Sequence, residues 1–129
     1  MDLNIGIKKR VEDIYVVKLE GRLDTDTYIA FQEKIEPILS SATKVVVLDM
    51  EKLTYISSAG LSAVFATRKA LEANEGALIM TSLQPQIKKV FEIVKALPKE
   101  TVFASMEEVD RYLDTIQRRE IEKQDKPGT

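Results

Sequence analysis

The chain has 129 residues and a net charge of −2, with no cysteine and no histidine. That excludes disulfides, thiolate metal sites, cysteine nucleophiles and any Ser-His-Asp hydrolase, so neither catalysis nor a resident metal or cofactor is expected. Positive and negative residues are interspersed, which argues against nucleic-acid binding, and without a signal-peptide core or ~20 consecutive apolar residues a soluble cytoplasmic protein is expected.

Leu3, Ile5 and Ile7 alternate with Asn4, Gly6 and Lys8, and a second extended run at 14–19 follows Glu12 and Asp13. This pattern predicts an N-terminal hairpin. The segment GRLDTD at 21–26 ends the second run and supplies several possible caps for a helix with Tyr28, Phe31, Ile35 and Leu39 along one side. Pro37 within that pattern predicts a kink or an early stop. Asp24 and Asp26 fit helix capping and contact with a partner better than a metal pair.

Residues 44–61, KVVVLDMEKLTYISSAGL, read as a buried strand, a short loop and a serine-bearing helix start. Val45, Val46, Val47 and Leu48 suit a strand that is apolar on both faces, with Asp49 at its polar end. Tyr55 and Ile56 fall in the loop, where one would pack inward and the other meet a partner. Leu61, Val64, Phe65 and Leu71 partly fit a helical stripe, which makes Ser57 or Ser58 the N-cap. A hydroxyl there lies beside backbone N–H groups with no partner inside the helix, at the positive end of its dipole. Either serine could simply cap the helix, or the position could carry a phosphate. Gly60 could let another surface approach the serines closely or let the helix backbone pack on the sheet.

Beyond this, Asn74 to Gly76 offers a C-cap, and 77–81 is a short apolar strand. Ser82 or Gln84 caps a helix with Pro85 in its first turn and Ile87, Val90, Phe91 and Val94 facing inward. Another element begins at 100–103. Ser105 with Glu108 forms a capping box for a helix from 106 to about 118 that buries Val109, Leu113 and Ile116. The polar run at 119–129 is expected to be a disordered tail. Strands separated by helices give a single α/β domain over 1–118, with a mixed, mostly parallel sheet, an N-terminal hairpin and about four helices.

GRLD, VVVLDMEKLTYISSAGL and TSLQPQIKKVFEIVKAL, in this order, resemble the STAS domain of bacterial anti-sigma factor antagonists over about residues 3–113. The resemblance implies a regulator that binds an anti-sigma factor serine kinase, frees the sigma factor, and is switched off by serine phosphorylation and reset by a phosphatase. It places the phosphoserine on Ser58. Relatives often carry Asp just before that serine, whereas Ser57 stands here and is a competing acceptor. It also implies a partner-binding surface around Asp24, Thr25, Tyr55, Ile56, Ser57, Ala59, Gly60 and Leu61. Two other functions fit the chain: a non-phosphorylated interaction subunit of a lipid-transport ATPase or sensory complex, and a small-molecule or nucleotide-binding domain.

Overall fold

A computed structural model describes residues 2–11, 13–40, 42–93 and 102–124. Strands β1 (Leu3–Val11) and β2 (Ile14–Leu23) form the hairpin, and β3 (Val45–Ile56), β4 (Ala77–Thr81) and β5 (Val102–Phe103) complete a five-stranded sheet in the order β1-β2-β3-β4-β5. The β1–β2 pair is antiparallel and every later pair is parallel. Helices α1 (Tyr28–Ile35), α2 (Ser58–Ala73) and α3 (Pro85–Ile93) connect the parallel strands, and α4 (Met106–Gln124) follows β5.

Strand side chains point alternately to opposite faces, so the apolar run in β3 feeds two cores. Val46, Leu48 and Met50 join Val17, Leu19, Leu78 and Met80 beneath Phe31 and Ile35 of α1, Leu61, Val64 and Leu71 of α2, and Ile87 and Phe91 of α3. Val45 and Val47 join Ile14, Val16 and Ile79 beneath Val109 and Leu113 of α4. One face thus carries three helices and the other carries one.

Several boundaries follow local chemistry. Helix α1 stops at Ile35, where Pro37 turns the chain into a 3-10 turn at Glu36–Ile38. Its N-cap is Thr27, just past the expected segment, and the threonine hydroxyl does not cap the helix. At the end of α2, Glu75 adopts a left-handed φ of 62°, and the Gly76 N–H returns to Leu71 O at 2.7 Å. The Ser105–Glu108 box forms in its first half, Ser105 Oγ accepting from Glu108 N at 3.3 Å, while Glu108 Oε2 reaches one residue further back and accepts from Ala104 N at 3.0 Å.

Two expectations are corrected. Strand β3 does not end at Asp49; it continues to Ile56, Asp49 is buried mid-strand, and Tyr55 and Ile56 are strand residues. Helix α4 runs to Gln124, past the expected boundary at 118, because Arg, Glu, Lys and Gln are strong helix formers even without an apolar stripe. Val94, the 94–101 segment and residues 125–129 lie outside the described residues, as does the Ile116 side chain.

Candidate functional site at the start of the central helix

Helix α2 begins against the ends of β2 and β3. Ser57, in extended conformation, donates its N–H to Leu23 O at 3.0 Å. Its Oγ accepts from Gly60 N at 3.2 Å, and its carbonyl accepts from Leu61 N at 2.8 Å. Ser57 is therefore the cap, and its hydroxyl is occupied. Ser58 is the first helical residue and is exposed. Its hydroxyl makes no hydrogen bond among the described residues, and it stands where a helix end presents unpaired N–H groups.

Gly60 is fixed by packing. A β-carbon there would run into Leu23 O and lie 2.9 Å from Ile56 Cγ1, so the absent side chain is what lets α2 rest on the strand ends. Ile56, Gly60 and Leu61 are all buried. They support the serine from beneath and add little to the exposed surface. Tyr55, Ser58, Thr25 and Asp26 are exposed; Ser57, Ala59 and Asp24 are partly so. The burial of Ile56 beside an exposed Tyr55 divides that pair as its sequence position suggests.

The GRLD loop reaches the serine through Leu23. Beyond it, Asp24 Oδ1 accepts from Asp26 N at 3.0 Å, and Asp24 Oδ2 lies 3.4 Å from Arg22 Nε. Thr27 Oγ1 accepts from Asp24 N at 2.9 Å, and it lies 2.8 Å from Arg22 O and 3.2 Å from Asp24 Oδ1, acceptors for its proton. Partial burial pushes the Asp24 carboxyl up, but the Asp26 N–H, the Thr27 hydroxyl and the Arg22 guanidinium together hold it below its ordinary value. The GRLD loop, whose Leu23 O meets Ser57 N, thus carries a fixed anion one residue on. Asp24 and Asp26 close the loop through these bonds, and among the described residues no group of three or more His, Cys, Asp or Glu side chains could hold a metal.

Sequence reasoning missed Arg22, which lies over the Tyr55 ring with its guanidinium carbon 4.2 Å from the centroid. It also missed two glutamines that tie α3 to the extension of β3: Gln84 Nε2 donates to Glu51 O at 2.8 Å, and Gln86 Nε2 to Thr54 O at 3.3 Å. The GRLD string contained the arginine, but only the strand register brings it to Tyr55.

The STAS domain model matches residues 7–109. The chain belongs to the STAS domain family. This STAS chain is 30% identical over 92 residues to the anti-sigma-B factor antagonist of Staphylococcus aureus, an alignment covering 70% of the chain and 85% of that protein. Its fold is similar to the anti-sigma factor antagonist SpoIIAA in its unphosphorylated form, with 22% identity, a TM-score of 0.74, and coverage of 86% of this chain and 97% of that one. It is similar also to the Bacillus cell fate determinant SpoIIAA in the phosphorylated form, with 22% identity, a TM-score of 0.70, and coverage of 84% and 99%. No helix among the described residues of the STAS chain is long and apolar enough to cross a membrane.

Proposed function

We propose that this STAS domain is an anti-sigma factor antagonist that docks onto an anti-sigma factor serine kinase and is switched off by phosphorylation of Ser58, with a phosphatase reversing the modification. The observation that carries this is the division of labour at the helix start: Ser57 Oγ is spent on Gly60 N, while the Ser58 hydroxyl is exposed and unbonded. The name of the Staphylococcus aureus relative supports the same function.

A phosphate on Ser58 adds about −1.5 to −2 charges at neutral pH. The unpaired N–H groups and dipole of α2, a helix of 16 residues, stabilise that charge locally. The fold then changes little while the surface changes greatly. That SpoIIAA adopts a similar fold in both its unphosphorylated and phosphorylated forms is consistent with a switch of this kind. Burying a dianion at an interface with no prepared partner costs several kcal/mol, enough to abolish binding of ordinary affinity.

The test mixes the purified anti-sigma factor kinase from the same cell, with ATP, with wild type, Ser58→Ala and Ser58→Asp. Wild type is expected to bind and to accept phosphate, Ser58→Ala to bind without accepting it, and Ser58→Asp to lose binding. Equal binding by all three overturns the switch; phosphate on Ser58→Ala, mapped by mass spectrometry, moves the site to Ser57.

A further inference from the structure

The ends of β2 and β3 do more than hold the serine. Their parallel register shifts twice, between Lys18 and Glu20 and between Gly21 and Arg22, and each shift places an extra β3 residue against β2. Such irregularities re-aim side chains. The second sets Arg22 directly opposite Tyr55, with the guanidinium over the ring and Nε toward Asp24. Both members stay in solvent, the Arg22 side chain 54% exposed and Tyr55 42%.

An exposed arginine is ordinarily mobile and loses side-chain entropy when it binds. This one is already restrained by a ring on one side and a carboxylate on the other. The backbone beneath it is tied as well: Arg22 N donates to Asp2 O at 2.9 Å, and Thr54 Oγ1 donates to Gly21 O at 3.0 Å. Asp24 engages Nε alone, and among the described residues neither Nη1 nor Nη2 makes a hydrogen bond. Two free, coplanar donors form the fork that matches a carboxylate. Arg and Tyr are also enriched among the few residues that dominate interface energetics.

We propose that Arg22, stacked on Tyr55, is a preformed receptor for an Asp or Glu side chain of the anti-sigma factor, and that it helps select that partner. The proposal rests on the docking function above and adds a specificity residue to it. The oxyanion comes from the partner because Ser58 carries no phosphate in the docking-competent state. Asp24 and Asp26 beside the arginine repel a misplaced carboxylate, so the acid is steered to the fork.

The experiment measures by calorimetry the affinity of the purified anti-sigma factor for wild type, Arg22→Gln, Arg22→Lys, Tyr55→Phe, Tyr55→Leu, the Arg22→Gln/Tyr55→Leu pair and Ser58→Asp, with circular dichroism reporting the fold of each. Arg22→Gln is expected to weaken binding about tenfold or more. Arg22→Lys falls nearly as far, since an ammonium keeps the charge and lacks the fork. Tyr55→Phe keeps the ring and binds as wild type, Tyr55→Leu is intermediate, and the pair is no worse than Arg22→Gln alone. Full-strength binding by Arg22→Lys overturns the receptor while leaving the docking function in place. Wild-type binding by Ser58→Asp, or none by wild type, overturns the docking function itself.

Discussion

Two neighbouring serines differ in role because one residue of backbone separates a cap from a first helical turn. The same local logic governs Asp24, whose carboxylate closes the GRLD loop through Asp26 N, Thr27 Oγ1 and Arg22 Nε. Each partner prefers the charged form, so the folded chain holds the Asp24 pKa below its ordinary value despite burial. A carboxyl whose pKa falls on folding contributes stability that is present above its unfolded value, about 4, and is lost as pH drops through the lower folded value. Asp24→Asn is therefore expected to melt below wild type at pH 7, with the gap closing as the solution is acidified below pH ~4. Thermal melts of both proteins between neutral and strongly acid pH check this; a gap independent of pH would assign the loss to loop shape and not to charge. Asp24 was legible as a turn and cap residue because Asp favours such positions. Arg22 was not, because its partner is Tyr55, and that pairing exists only through the register of β2 and β3.

At the scale of elements, the pattern that hid the end of β3 is the one that builds the site. After Met50 the buried residues are Leu53 and Ile56, spaced by three where a regular strand spaces them by two. The two register shifts account for it, and the end of the apolar run at Leu48, with the polar Asp49 after it, gives no sign in the sequence that the strand continues. The hairpin, β4 and the stop at Pro37 obey local rules and were legible. Helix α2 then meets the irregular strand ends at Gly60, where two effects of alanine compete. Gly60→Ala gains up to about 1 kcal/mol of helix propensity. Against that, its β-carbon would overlap Leu23 O and crowd Ile56 Cγ1 and Leu23 Cγ, and overpacking costs typically about 1–3 kcal/mol. A backbone oxygen held by Ser57 N cannot swing aside as a side-chain tip can, so the clash wins. Gly60→Ala is expected to lower stability by about 1–2 kcal/mol in urea denaturation. It should also reduce phosphate transfer to Ser58, since the helix start must move to make room.

The molecule as a whole has a core on each face of the sheet, and its surface chemistry lies with the larger of the two. Ser58, Arg22 and Tyr55 belong to the ends of β2, β3 and α2, over the core shared with α1 and α3. Helix α4 covers the opposite face with a smaller cluster of its own, in which Val109 and Leu113 meet Ile14, Val16, Val45, Val47 and Ile79. Arg10 of β1 ties that helix down further through Asp110 and Asp114. These pairs are partly exposed and each is worth at most about 1 kcal/mol, so apolar burial dominates the docking of α4. Leu113 is fully buried, and Leu113→Ala removes apolar contacts and leaves a cavity, for a cost of about 2–4 kcal/mol. Below its unfolding transition that variant is expected to bind the anti-sigma factor as wild type does, because the closely packed β3 keeps its pairing with β2 and β4 and the α2 start keeps its own supports. Urea unfolding and calorimetric affinity on the same preparation test the separation. If affinity falls along with stability, the α4 face is coupled to the serine through the sheet, and the two cores act as one.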